Sequence, residues 1–160
     1  MDLRPYAAGD LERLIELTVD TFGPFYEESF RSVVGDAVMT TLHGDWREDY
    51  HQQVRGLHDP DAHKWVAVAE LDGVVVGFVA WQVDPVKRYG QVEFLLVDQR
   101  HRRQAIAEQL CAHAFADLRA RDIHVVEIGT GGDPFHAPAR AFYESLGMTS
   151  FPVVYYYKEL

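Results

Sequence analysis

Only one cysteine, Cys111, occurs in the 160 residues, which excludes an internal disulfide framework and any CxxC redox or zinc signature. Long hydrophobic runs are also missing: the longest, Val74 to Trp81, is interrupted by Gly77 and is far too short to span a bilayer. There is no low-complexity tract, internal repeat or linker. Positive charge is scarce, with 15 Lys and Arg against 25 Asp and Glu and a net charge of −10. Such a balance disfavours nonspecific binding to nucleic acid or to anionic membranes, so neither is expected as a partner. The first ten residues lack the apolar core of a signal peptide, and Asp2 and Asp10 oppose an export or transit signal. The expected location is the cytoplasm.

What remains is a folded globule: 48% of residues are hydrophobic, and aromatics are scattered along the whole length. One domain spanning residues 1–160 is expected. The charge is uneven. Residues 1–80 carry 15 acidic and 6 basic groups, residues 81–160 carry 10 and 9. The acidic half is read either as a solubilising surface or as one that attracts a cationic ligand.

Leu3 to Pro5 reads as a short edge strand, followed by Asp10 as the N-cap of a helix whose apolar face is Leu11, Leu14, Ile15 and Leu17. Between Thr21 and Ala62 the pattern is irregular, with Gly23-Pro24, Gly35-Asp36 and Gly44-Asp45 as breaks between short helical pieces. Asp72-Gly73 lies between two apolar, β-branched runs and predicts a type I′ hairpin joining Trp65–Leu71 to Val74–Trp81. A strand over Gln91–Val97, a helix over about Ala105–Arg121 with Ile106, Leu110, Ala114 and Leu118 on one stripe, and a strand over His124–Ile128 follow. Pro138–Leu146 predicts a second amphipathic helix with Gly147 beyond its end, and Val153–Lys158 a sixth strand. The order is that of an α/β fold: an antiparallel meander feeding a β-α-β unit, with helices on both faces of the sheet.

The segment from Val97 to Leu110 is the most informative. A strand ends, a short loop carries Arg100, Arg102 and Arg103, and a helix begins with the small residues Ala105 and Ala107. Free N–H groups at a helix start attract anions, small side chains let a phosphate approach the backbone, and guanidinium groups add charge-assisted contacts. An exposed basic helix start is the alternative. By contrast, His58-Asp-Pro-Asp-Ala-His63 imitates a metal site only superficially, and no metal is expected. Gly129-Thr-Gly-Gly132 lacks the Lys-Ser/Thr of a phosphate loop and reads as a connection that shapes a site. Cys111, beside the helix stripe, reads as a buried thiol.

Arg102-Arg103-Gln104-Ala105-Ile106-Ala107 resembles motif A of the GCN5-related N-acetyltransferases (the GNAT superfamily), Gln/Arg-x-x-Gly-x-Gly/Ala, with alanine at 105 where glycine is usual. Alanine accepts helical dihedrals, so no strain is expected there. Ala139-Arg-Ala-Phe-Tyr143-Glu-Ser-Leu-Gly147-Met148 resembles the end of motif B in the same family, with His136 where asparagine is frequent. The resemblance implies a mixed, mostly antiparallel sheet flanked by helices, with a splayed pair formed by its fourth and fifth strands holding acetyl-CoA. It implies acetyl-CoA as acetyl donor and direct attack of an amine on the thioester in a ternary complex. Cofactor contacts then fall on Leu95, Leu96, Val97, Arg102, Arg103, Gln104, Ala105, Ile106, Ala107, His136, Ala139 and Tyr143. Backbone N–H groups near Leu95 and Leu96 would polarise the carbonyl. Tyr143 would protonate the leaving thiolate, since a phenol ionising near about 10 can serve a thiol of about 8.5. Glu93, placed by alternation on the face of Leu95 and Val97, is the candidate base, and Glu127 is its rival.

The acceptor is specified least. A small primary amine is preferred, recognised as a cation by Asp20, Glu27, Glu28, Asp36, Asp45 and Glu48 among Phe22, Phe25, Tyr26, Phe30 and Trp46. A protein or peptide N-terminus, or a non-catalytic acetyl-CoA-binding module, are the alternatives. A homodimer is left open.

Overall fold

Asp72 and Gly73 take φ values of 51° and 79°, so both central residues of the turn are left-handed, as a type I′ hairpin requires. The turn joins strand β2 (Lys64–Leu71) to β3 (Val74–Asp84), with Leu71 opposite Val74. β1 (Asp2–Pro5) pairs antiparallel with β2 at the sheet edge, and β4 (Tyr89–Val97) pairs antiparallel with β3. β5 (Val125–Ile128) joins β4 in parallel, giving the order β1-β2-β3-β4-β5. The mixed, mostly antiparallel sheet agrees with the sequence expectation.

The structure, a computed structural model, describes residues 1–160 and contains two compact units. The first comprises Met1–Phe22 and Arg47–Ile128, and holds the whole sheet. Alternation along β2 feeds its two faces: Val66 and Val68 enter one core, Ala67 and Ala69 the other. The first core is closed by Leu14, Ile15 and Leu17 of helix α1 (Leu11–Pro24), with Val54 and Leu57. On the opposite face lies an amphipathic helix over Ile106–Ala120, whose Ile106, Leu110, Ala114 and Leu118 pack on Val76, Val79, Trp81 and Val92. Trp81 Nε1 donates to Asp117 at 2.8 Å, and the Arg121 guanidinium lies over the Trp65 ring, so polar contacts fasten the rim of this layer.

Two β-bulges interrupt the alternation. Val76 is extra on β3 opposite β2, and Glu93 is extra on β4 opposite β3. Consequently Val92 faces one core and Phe94 the other, so strict alternation breaks between these two residues.

The second unit comprises Gly23–Trp46 and Gly129–Leu160. The predicted break at Gly23-Pro24 is absent. α1 runs through Pro24 into a π-helical stretch, Phe25–Phe30, and then α2 (Arg31–Val34). Pro24 has no N–H to give, and the wider π turns that follow accommodate the lost bond. Gly35, at φ 84°, supplies the break that follows, before α3 (Asp36–His43). Trp46–Arg55 is α4, which makes the Ile106–Ala120 helix α5, and Ala137–Ser145 is α6.

Three further expectations are corrected. Asp10 caps no forward helix turn; its carboxylate accepts the Ala7 N–H behind it and a bidentate pair of bonds from Arg4. Val153–Lys158 is not a strand: the chain from Met148 onward has no regular structure, and Tyr155 and Tyr156 are exposed. β-propensity expresses itself only where a neighbouring strand offers partners, and no strand pairs with this segment. Ala105 is not helical but left-handed, at φ 57° and ψ 17°, and Arg103 shares that region at φ 63°. The first residue of α5 is therefore Ile106, with Ala105 as its cap.

Two substitutions should move stability in opposite directions in denaturant melts. A Cβ on Gly77 would lie 2.7 Å from the Leu96 carbonyl oxygen, a backbone atom that cannot step aside, so Gly77→Ala should cost about 2 kcal/mol. Ala105→Gly relieves a left-handed alanine and should gain about 0.5–1 kcal/mol after the greater freedom of unfolded glycine is subtracted.

Candidate functional site

Within the first unit, β5 pairs with β4 only from Tyr89 to Val92 and ends at Ile128, where Gly129-Thr-Gly-Gly132 gives the chain no reason to stay extended. From Glu93 to Val97, β4 is therefore bonded to β3 alone, and the edge carrying Leu95, Leu96 and Val97 has no strand partner. This is the splay expected of the fourth and fifth strands. At its start sits Glu93, the bulged residue. Its Oε2 is buried and has no hydrogen-bond partner, a state that native structures rarely leave unexplained. Glu127, its rival, is exposed and accepts the Tyr89 hydroxyl at 2.5 Å. Burial and that carboxylate together push the Tyr89 phenol up to about 12.

β4 ends at Val97, and the next residue, Asp98, is 7% exposed and anchors the root of the following loop. Its Oδ1 accepts the Arg100 N–H at 2.9 Å and Arg100 Nε at 3.1 Å; its Oδ2 accepts Arg100 Nη2 at 2.8 Å and Arg13 Nη2 at 2.6 Å. Hydrogen bonds from the Arg100 guanidinium, aided by its N–H and by Arg13, outweigh desolvation and hold this carboxyl far below the usual carboxylate range. Arg100 was expected among the anion contacts, but its fork is engaged here. Arg102 and Arg103 are exposed, the former reaching only the Val97 carbonyl at 3.4 Å. Gln104 and Ala105 are exposed too, while Ile106 is buried and Ala107 half-buried. Ala105 has no side-chain group to cap α5, so the N–H groups of its first turn have no cap from that side chain. An uncapped helix start of 15 residues, two exposed arginines and an adjoining unpaired strand edge suit a pyrophosphate-bearing ligand.

In the second unit, Asp133 caps the turn before α6. Its Oδ1 accepts the N–H groups of Phe135 and His136, and its Oδ2 lies 2.6 Å from His136 Nδ1. Desolvation opposes the charge on Asp133, but the bond to His136 wins and leaves the carboxyl below its ordinary value. Arg140 Nη1 donates to the carbonyls of Gly131 and Asp133 at 2.6 and 2.7 Å, which ties the loop to the helix. Phe25 packs against the His136 ring, with centroids 4.8 Å apart. Ala139 and Tyr143 are half-buried on α6, and the Tyr143 ring lies 5.6 Å from that of Phe142. The carbonyl of Tyr143 accepts the Met148 N–H, and Gly147, at φ 78°, ends the helix as expected.

The candidate residues thus form two groups: Glu93, Leu95, Leu96, Val97 and Arg102–Ala107 in the first unit, and His136, Ala139 and Tyr143 in the second. Two arrangements at the candidate site escaped sequence reasoning. The Asp-Pro pair at Asp133-Pro134 is an ordinary helix-start signal that could have revealed the cap. Arg13 and Asp98 are 85 residues apart, and nothing local announces their pairing. Cys111 is buried, which pushes its thiol up to about 12 and makes it a poor nucleophile. His58 Nδ1 accepts the Val66 N–H, and no group of three or more His, Cys, Asp or Glu converges. No helix is long and apolar enough to cross a membrane.

Comparison with known structures places the fold among acetyltransferases. A ribosomal-protein-alanine N-acetyltransferase from Brucella melitensis biovar Abortus 2308 is 18% identical over 99% of this chain and 100% of its own, with a TM-score of 0.66. An aminoglycoside antibiotic 6′-N-acetyltransferase from Acinetobacter haemolyticus is 18% identical over 100% and 99%, with a TM-score of 0.69. PaiA N-acetyltransferase from Thermoplasma acidophilum, solved in complex with coenzyme A, is 15% identical over 91% and 87%, with a TM-score of 0.66. No curated protein sequence matches the chain. The family model described as Acetyltransferase (GNAT) family matches residues 12–148, a span that includes both the loop at Arg102–Ala107 and the helix of Tyr143, and the chain belongs to that family, whose acetyl donor is acetyl-CoA.

Proposed function

We propose that the protein transfers the acetyl group of acetyl-CoA to the primary amine of a small cationic molecule in the cytoplasm, by direct attack within a ternary complex. One observation carries the donor half of this reading: the unpaired β4 edge from Glu93 to Val97 leads through the loop at residues 98–105 into the uncapped start of α5. In this reading residues 1–160 act as one acetyltransferase domain. Gln104, Ala105, Ile106 and Ala107 offer backbone N–H groups to the pyrophosphate, and Arg102 and Arg103 add charge. N–H groups at Leu95 and Leu96 polarise the thioester carbonyl. His136 and Ala139 line the donor beside Tyr143, whose hydroxyl supplies the proton that the departing thiolate takes up. Glu93 removes a proton from the attacking ammonium; its unpartnered Oε2 supports this role, whereas Glu127 is already engaged by Tyr89.

The acceptor assignment rests on the acidic, aromatic character of the first half. Tyr26 stacks on Trp46 at 5.2 Å and meets His43 at 4.9 Å, and Phe25 and Phe30 complete a ring cluster. Of the six carboxylates expected to serve it, Glu27 and Asp36 pair with Arg31, and Glu48 accepts a bond from Gln52. Asp20, Glu28 and Asp45 are exposed and carry the proposal. The names of the structural neighbours cover a ribosomal-protein alanine and an aminoglycoside as acceptors, so a peptide N-terminus is the second class to be assayed.

Three outcomes follow. Acetyl-CoA at about 100 times its dissociation constant should stabilise the protein by about 2.7 kcal/mol in a thermal shift assay, with ATP and NAD far weaker. Tyr143→Phe should lower kcat by about 100-fold and leave the acetyl-CoA affinity unchanged, as measured by steady-state kinetics and calorimetry. Across an amine panel, polyamines or amino sugars should outperform alanyl peptides and anionic amino acids, with KM rising as salt screens the carboxylates. Superior turnover of an alanyl peptide would transfer the assignment to N-terminal acetylation, and acetyl-CoA binding without turnover of any amine would leave a binding module.

A further inference from the structure

Asp98 presents an electrostatic puzzle. A buried carboxylate stands at the root of a loop read as an anion site, where a negative charge on its own would repel the ligand. The bonds around it give the reason. Arg13 on α1 is a three-way clasp: Nε donates to the Val75 carbonyl at 3.0 Å, Nη1 to Glu16 at 2.6 Å and Nη2 to Asp98 at 2.6 Å. The Asp98 N–H donates in turn to the Val76 carbonyl at 2.8 Å. Val76 is the bulged residue of β3, so the interruption of pairing with β2 coincides with the two carbonyls that receive Arg13 and Asp98. From this anchor the loop proceeds with little else to hold it. The His101 N–H returns to the Asp98 carbonyl, Arg102 makes its one long bond to Val97, and two of the next residues, Arg103 and Ala105, are left-handed. Backbone in that region persists only where its surroundings over-determine it.

We propose that Asp98 is a positioning residue for acetyl-CoA: joined to Arg13 and Arg100, it buckles the loop root to α1 and β3, so that the first-turn N–H groups of α5 are held ready for the pyrophosphate. The proposal rests on the donor reading of that loop. It makes a prediction opposite in sign to simple electrostatics. Asp98→Asn makes the loop root more positive by one charge, so a purely electrostatic role would tighten the binding of an anionic ligand. A positioning role weakens it, because the Arg100 and Arg13 forks lose the charged acceptor that aligns them.

The test compares wild type, Asp98→Asn and Arg13→Gln in calorimetric titration with CoA and in steady-state kinetics. Leu118→Ala serves as a control whose cost lies in the core far along α5. Both loop-root variants should raise the CoA dissociation constant and the acetyl-CoA KM by about tenfold, with kcat at saturating donor within about twofold of wild type. Leu118→Ala should lower the melting temperature without moving the dissociation constant. Binding by Asp98→Asn as tight as wild type, or tighter, overturns the proposal, as does a loss in the loop-root variants no larger than that in the control. If Asp98→Asn fails to fold, Arg13→Lys, which keeps the charge but loses the three-way fork, decides by the same criterion. Wild type that binds no CoA removes the donor reading and this inference together, whereas wild-type binding with an unaffected Asp98→Asn removes this inference alone.

Discussion

Strand β4 is held along both edges as far as Val92 and along one edge beyond it, and the rest of the candidate site depends on that asymmetry. The fully paired half locks the strand in the middle of the sheet. The half-paired stretch keeps its direction because β3 continues beside it, from Ala80 opposite Phe94 to Gly77 opposite Val97. Backbone groups are thereby left unpaired on a rigid element rather than on a wandering loop, a condition that precise recognition requires. The bulge at Glu93 falls at the junction of the two halves, where the partner strand is about to leave.

Much of this was legible in the residues themselves. Asp72-Gly73 announced its turn through positive φ at both positions, and the stripe from Ile106 to Leu118 announced α5 through its period. Both signals are local, and both survived intact. The expectations that failed depended on something distant. Val153–Lys158 has strand composition but no strand beside it, Pro24 reads as a stop until the π turns that follow are seen, and Ala105 reads as helical because alanine usually is. Alternation from Val92 to Phe94 failed because a bulge is set by the pairing of two strands and leaves no mark in one of them. The roles proposed for the site residues come only from the family pattern, and the pairing of Arg13 with Asp98 was legible through neither route.

The charge distribution illustrates the same separation of composition from arrangement. The acidic excess of the first half is a fact of the sequence, yet a large part of it is locally answered. Arg4 holds both Asp10 and Glu70, Arg31 holds Asp36 and approaches Glu27, and Arg13 meets Glu16. The exposed pair of Arg31 with Asp36 adds little to stability, but each of these pairings removes a carboxylate from the field felt by an arriving cation. The acidic surface open to solvent is accordingly smaller than the bare count implies.

The run Gly129-Thr-Gly-Gly132 looks like three interchangeable glycines, and it is not. A methyl group at Gly129 or Gly132 would meet nothing within 4 Å, and neither residue has a positive φ. At Gly131 the same methyl would collide with the Asp133 carboxylate and the His136 ring, the pair that closes the turn before α6. For anyone diversifying this loop in a library, two of its glycines are open positions and the third is a fixed one. The tolerated sequence space of the connection is set by the volume of a carboxylate–imidazole pair rather than by the flexibility that glycine is usually chosen for.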